Sequence, residues 1–301
     1  MKLIATLPPP HREQMIKVAE HPEVDGVRFN VGVRVPYSPK ETLRRIMDCL
    51  KEKPLWIDLK CRQLRIAKWA VPTYGDIELS HKINVDLPAT IIFRGGDESR
   101  IMAVDGKVIY VDPPPKFAIG AGQAINIHGH NFQVEGFLTD EDQEYIEAAK
   151  ELGIHRYMLS FVEQEQDIKD LLALDPEAEI VIKIESMKGL QFSQVVEVGE
   201  RLRLMVARDD LLINIGESVK IFDAMKTMIK RDPQAIVASR ILTSLEDGEN
   251  ISMGDLSDLY LIHVWGYKTI MLSDGLCFKK EAFSRAMQEY CQFKNYIQGG
   301  D

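Results

Sequence analysis

Glu179-Ile180-Val181-Ile182-Lys183-Ile184-Glu185 is the stretch on which the fold turns. Its β-branched apolar residues read as a buried strand. Residues two apart share a strand face, so Lys183 and Glu185 point the same way. A lysine and a glutamate inside such a run must be strongly paired or wetted by a site. Runs of the same kind recur along the chain: Leu3 to Leu7, Gly26 to Asn30, Leu55 to Lys60, Arg156 to Ser160, Arg203 to Arg208, Ala235 to Ser239 and Thr269 to Ser273, which with the first makes eight. Most of the intervals read as amphipathic helices. Ser38 to Leu50 carries Leu43, Ile46, Met47 and Leu50 at helical spacing, and Thr139 to Leu152 opens with a Thr cap and an acidic first turn. Eight strands each followed by a helix predict an α/β chain of the closed (β/α)8 TIM barrel type. An open doubly wound sheet gives a similar local pattern, but no glycine fingerprint follows the first strand.

One interval breaks the rhythm. Between Arg65 and Gly136 the sequence holds only strand and turn signals: Ile77 to Val85, Ala89 to Phe93, Arg94-Gly95-Gly96-Asp97, Ile101 to Val104, the hairpin signal Asp105-Gly106, Val108 to Val111 and Ala124 to Ile127. The expected organisation is a barrel over 1–66 and 136–301 with a small all-β lid domain inserted over 67–135. An insertion of about 70 residues is near the lower limit for a self-standing core, so it is expected to move relative to the barrel.

Barrel active sites lie at the C-terminal strand ends. There Arg28 pairs by spacing with Asn30, Asp58 with Lys60 and Lys183 with Glu185, and the run through Ala207 ends in Arg208-Asp209-Asp210. These charges either close salt-bridge networks at the barrel end or converge on a ligand. Two carboxylates (Glu185, Asp210), two arginines (Arg28, Arg208) and Lys183 form a coherent set: the carboxylates suit a hard, partly hydrated Mg²⁺, and the cations suit phosphoryl or carboxylate oxygens. His128-Gly129-His130 reads as a surface turn rather than a metal site, Arg94-Gly95-Gly96-Asp97 as a hairpin turn, and Ser257-Asp258 as the start or cap of a helix.

The 301 residues, 45% hydrophobic and 28% charged, suit one large core, and a net charge of −9 argues against non-specific nucleic-acid binding. The four cysteines have no metal or disulfide spacing, Met1 to Leu7 is too short for a signal core, and no apolar run reaches membrane-spanning length. A cytoplasmic protein with reduced thiols, no membrane partner and a small anionic substrate is expected, with a homo-oligomer left open.

The order of these strand ends resembles the pyruvate kinase family. Leu3-Ile4-Ala5-Thr6-Leu7-Pro8-Pro9, Val27-Arg28-Phe29-Asn30, Ile57-Asp58-Leu59-Lys60 with Leu64-Arg65, Leu159-Ser160-Phe161-Val162, Ile182-Lys183-Ile184-Glu185, Met205-Val206-Ala207-Arg208-Asp209-Asp210-Leu211, Ser239, Ser257-Asp258 and Met271-Leu272-Ser273 follow the family's motifs in sequence. The resemblance implies Lys183 as catalytic lysine, Arg28 facing the transferred phosphoryl group, and Ser239 in place of a threonine that contacts the substrate carboxylate. It implies Glu185 and Asp210 as Mg²⁺ or Mn²⁺ ligands, Asn30 and Asp58 as K⁺ ligands, and Arg65 with Ala207, Arg208 and Asp209 on the substrate side. Departures are equally plain: Asp209 replaces a glycine, Gly32 a K⁺-ligand serine, Val33 a histidine and Gln123 a lid lysine, so nucleotide and K⁺ are expected to be held less well, if at all. After the eighth strand only a helix near Lys280 to Tyr290 and a short tail follow, so the family's C-terminal allosteric domain is not expected. Asp209 and Arg240 are expected either to pair or to select jointly a substrate group that pyruvate lacks. Three functions follow: a Mg²⁺-dependent phosphotransferase of pyruvate kinase type acting on phosphoenolpyruvate or a related enol phosphate or 2-oxo acid; a Mg²⁺-dependent enolate-forming lyase or aldolase; and a non-catalytic ligand-sensing paralogue.

Overall fold

The structure, a computed structural model, describes residues 1–68, 76–93 and 95–299. Each of the eight expected runs forms a strand: β1 (Lys2–Thr6), β2 (Gly26–Asn30), β3 (Leu55–Leu59), β4 (Arg156–Leu159), β5 (Glu179–Ile184), β6 (Leu202–Ala207), β7 (Ile236–Ala238) and β8 (Thr269–Leu272). All pair in parallel and in chain order, and β8 closes on β1. The fold is therefore a (β/α)8 barrel carrying an all-β insertion after β3.

Strand alternation decides what fills it. Ile4, Trp56, Met158, Val181, Met205, Ile236, Ala238 and Met271 form one buried cluster in which every barrel strand but β2 takes part. On β2 the matching place belongs to Gly26, where an added Cβ would stand 3.2 Å from Pro54 Cγ and 3.9 Å from Ile4 Cγ1. Two residues farther along the same faces come Thr6, Arg28, Asp58, Ser160 and Lys183. An apolar layer is thus capped by a polar one at the C-terminal mouth, as the period of two requires.

The outer helices bury one face each. Helix Pro39–Met47 has proline at its start and a Ser38 hydroxyl that accepts from Glu41 N at 3.3 Å, and it buries Thr42, Leu43 and Ile46. Helix Asp140–Glu151 follows Thr139 with three acidic residues in its first turn. The last helix, Lys280–Gly299, runs well past the expected end at Tyr290, because Phe293 continues its buried stripe.

The described residues fall into two compact units, Met1–Leu59 with Asp140–Asp301, and Lys60–Thr139. The second takes in residues 67–135 together with its flanks, since Leu64 and Ile66 belong to its apolar core and Arg65 bridges to Ala124. It holds a five-stranded antiparallel sheet in the order Asp76–Glu78, Val108–Asp112, Glu98–Asp105, Ala89–Ile92, Asn126–His128, and a separate pair, Ile83–Asn84 with Gln133–Val134. The run expected as one strand over Ile77 to Val85 is broken in two. Ser80 leaves the ladder to accept Arg65 N at 3.0 Å and to bond His81 Nδ1 at 2.9 Å. Gly106, at φ 61°, makes the hairpin turn. Gly95 and Gly96, both with positive φ, turn the preceding hairpin, and Arg94 lies outside the described residues. His128, Gly129 and His130 are exposed.

Helix Met253–Val264 begins earlier than Ser257-Asp258 suggested. Its cap is Ser252, whose hydroxyl accepts from Asp255 N at 3.1 Å. All four cysteines are free thiols, and among the described residues no helix is long and apolar enough to cross a membrane.

Candidate active site

The polar layer at the barrel mouth is a connected network. Asp58, at the end of β3, accepts from Arg28 Nε at 2.7 Å and from Lys183 Nζ at 3.3 and 3.4 Å. Arg28 also reaches Thr6 Oγ1 at 3.1 Å, and that hydroxyl donates to Leu272 O at 2.8 Å, which anchors the arginine to both edges of the β1 seam. Lys183 bonds Ser160 Oγ at 2.9 Å and pairs with Glu185 Oε1 at 3.1 Å. Ser160 in turn donates to Leu59 O at 2.8 Å. Lys183, Asp58 and Glu185 are only 6%, 2% and 2% exposed, so the network lies out of bulk water.

Burial alone would discharge these groups, but the pairing decides otherwise for most of them. Burial opposes the charge on Lys183, yet Asp58 and Glu185 outweigh it and hold the ammonium above its ordinary range. Burial likewise opposes ionisation of Asp58, and Lys183 with Arg28 overcomes it, leaving that carboxyl below its usual range. Arg28 is firmly charged for the same reason. Glu185 is the exception. Burial pushes it up to about 7; Asp210 and Asp58 add to the rise, while Lys183 and a 2.8 Å bond from Phe161 N oppose it.

Glu185 is thus only partly neutralised by Lys183. Asp210 opens the helix Arg208–Asn214 after β6, and its charge acts on both Lys183 and Glu185. Asn214 Nδ2 ties the two together by bonding Glu185 O at 3.0 Å and Asp210 O at 2.9 Å. This donor set fits Mg²⁺ or Mn²⁺: two hard carboxylates, one of them raised by burial, leaving most of an octahedral shell to water and substrate oxygens. Among the described residues no group of three or more His, Cys, Asp or Glu is arranged to hold a metal by itself.

The chain matches the family described as "Pyruvate kinase, barrel domain" over residues 78–277. It belongs to that family. Curated pyruvate kinases are among its relatives: one from Thermoplasma acidophilum is 24% identical over 301 residues, 91% of this chain and 54% of the relative. One from Methanocaldococcus jannaschii is 24% identical over 293 residues, 91% and 64% of the respective chains. One from Lactobacillus delbrueckii subsp. bulgaricus is 28% identical over 165 residues, 52% of this chain and 27% of the relative. The chain thus spans less than two thirds of each of these pyruvate kinases.

Other expected residues of this pyruvate-kinase-family barrel lie outside the network. Arg208 forms a two-pronged pair with Asp258, Nη1 to Oδ1 at 2.6 Å and Nη2 to Oδ2 at 2.8 Å. It also donates to Ser239 O at 3.0 and 2.7 Å. Its guanidinium therefore clamps the turn after β7, and Ala207 is the buried residue from which that helix starts. Arg240 Nε bonds Asp209 Oδ1 at 2.6 Å, with both side chains half-exposed. Asn30 accepts Gly32 N at 2.9 Å. Arg65 belongs to the β unit, where it bonds Gly122 O at 2.8 Å and Gln63 Oε1.

Sequence reasoning gave no site role to Thr6, Ser160, Asp258 or Asn214. Thr6 and Ser160 carried a signal, since each stands two residues beyond an inward apolar residue, Ile4 and Met158. Asp258 was read only as a helix start or cap, and Asn214 carried no signal, because Arg208 and Glu185 lie on other elements.

Proposed function

We propose that this chain is a Mg²⁺-dependent phosphotransferase of pyruvate kinase type acting on phosphoenolpyruvate or a closely related enol phosphate. The observation that carries the reading is the buried Lys183 ammonium, kept charged by Asp58 and Glu185 on the inner face of the barrel mouth, with Arg28 on the same aspartate. In the reaction the bond between phosphorus and the enol oxygen breaks, the nucleoside diphosphate oxygen bonds to phosphorus, and the electron pair stays on the enol oxygen. Lys183 holds its proton at Nζ and donates a hydrogen bond to that oxygen as charge develops, where a dry, preorganised donor is most effective. Arg28, braced by Asp58 and Thr6, faces the phosphoryl oxygens, and Ser239 takes the substrate carboxylate. Mg²⁺ bound by Glu185 and Asp210 would neutralise and orient the transferring group. Val33, Gly32 and Gln123 leave the nucleotide weakly held and K⁺ dispensable.

The test is pyruvate formation from phosphoenolpyruvate with Mg²⁺ and a panel of nucleoside diphosphates. Phosphoryl transfer that falls by about a hundredfold or more in Lys183→Met supports the assignment. Folded, Mg²⁺-loaded protein that transfers phosphate to none of them contradicts it.

A further inference from the structure

The turn after β7 is built at a conformational cost, and it buries Ile241 and Leu242 while leaving Arg240 exposed. Ser239, Arg240 and Leu242 have φ of 67°, 56° and 56°, so three residues of four occupy the left-handed region without a glycine or asparagine among them. The turn is held there by the Arg208 guanidinium, which is buried, paired at two points to Asp258 and bonded twice to Ser239 O. Strain fixed by a buried charged clamp at a barrel mouth is characteristic of functional positioning. What the turn presents is Arg240. Among the described residues Asp209 is its partner, through Nε; both side chains are half-exposed, and a pair so exposed adds little to stability. A guanidinium engaged at Nε still offers its two Nη groups as a fork matched to a carboxylate. Asp209 is the sequence neighbour of Asp210, whose charge reaches Lys183 and Glu185, so the fork stands on the same mouth as the proposed reaction centre.

We propose that Arg240 is a specificity-determining residue that binds a second carboxylate on the substrate, with Asp209 as its positioning residue. The preferred substrate is then a 2-oxo dicarboxylic acid or its enol phosphate rather than a monocarboxylic one. The inference rests on the function proposed above for the substrate's reacting end, and adds to it the class of the other end. Asp209 serves a second purpose here: its charge offsets Arg240 when no ligand is bound and repels an anion that does not meet the fork.

The experiment is calorimetric titration, in Mg²⁺, of the whole chain with matched pairs: 2-oxobutanoate against oxaloacetate, 2-oxopentanoate against 2-oxoglutarate, and 2-oxohexanoate against 2-oxoadipate. In at least one pair the diacid is expected to bind about tenfold or more tightly, the minimum for a charge-assisted two-point contact. Arg240→Gln brings that ratio close to one, and Arg240→Lys restores part of it. Asp209→Ala lowers the ratio, and Asp209→Asn, which keeps an oxygen for Nε, restores most of it. A ratio near one for every pair in the unaltered protein, which needs no variant to be folded, overturns the inference. So does a preference that survives Arg240→Gln. Monoacid binding that ignores Lys183→Met contradicts the proposed function separately, whatever Arg240 does, and absence of binding by every acid overturns both.

Discussion

Replacing Lys183 by Met removes the one ammonium shared by Asp58 and Glu185 while nearly preserving the apolar length of the side chain. The consequence depends on pH because Glu185 titrates near 7. At pH 5 Glu185 is protonated, and Asp58 retains Arg28 as its partner, so the buried charges still balance. At pH 8 Glu185 is ionised in the parent, whereas the variant, without the cation that opposes the rise, holds it protonated. Taking up that proton at pH 8, one unit above the parent's pKa of about 7, limits the added cost to about 1.4 kcal/mol. The signs agree: the folded pKa of Glu185 is raised above the unfolded value, so its contribution favours folding below about pH 4.5 and is lost as pH rises through about 7. Removing Lys183, which opposes the rise, enlarges that loss. With metal chelated, Lys183→Met is expected to melt close to the parent at pH 5 and about 3–6 °C below it at pH 8, taking the protonation limit of about 1.4 kcal/mol as the difference. Circular dichroism melting at both pH values measures it. Equal destabilisation at pH 5 and pH 8 would refute the charge-balance reasoning.

Three further outcomes follow from the same geometry. Glu185→Gln with Asp210→Asn should abolish Mn²⁺ binding in a titration followed by Mn²⁺ electron paramagnetic resonance, and unchanged affinity would remove both from the metal site. Asp258→Ala leaves the Arg208 guanidinium without its carboxylate and should lower stability by about 3 kcal/mol, measured by urea unfolding, with faster proteolysis of the 239–242 turn. Gly129→Ala places a Cβ 2.4 Å from Val85 Cγ2 and 2.8 Å from Ala89 Cβ, and should destabilise the β unit by about 1–3 kcal/mol, read from amide exchange in its strands.

The barrel was legible because its code is local and redundant. Ile180-Val181-Ile182 could be little but a buried strand, and the same inward face that places Val181 in the core places Lys183 at the mouth. The spacing of Lys183 and Glu185 therefore pointed to the charge pair that the barrel mouth holds. What escaped was set by distant partners. Ser257-Asp258 looked like a cap because both residues favour caps, but Ser252 fills that role and Asp258 is held by Arg208, fifty positions away. The break at Ser80 depends on a bond to Arg65, and the left-handed turn at Ser239, Arg240 and Leu242 carries no glycine to announce it.

The central claim is that Lys183, Glu185, Asp210 and Ser239 form a centre that stabilises an enolate oxygen. Proton exchange isolates that ability from any second substrate. Pyruvate and a panel of 2-oxo acids, mono- and dicarboxylic, are incubated in D₂O with Mg²⁺ and the protein, and loss of the C3 proton signal is followed by NMR. A buried ammonium beside a metal site stabilises the developing negative charge by several kcal/mol, so exchange should exceed the Mg²⁺ background and require the metal. It should also disappear in Lys183→Met. Exchange at the background rate across the whole panel, in protein shown to be folded and to bind Mg²⁺, would contradict the account.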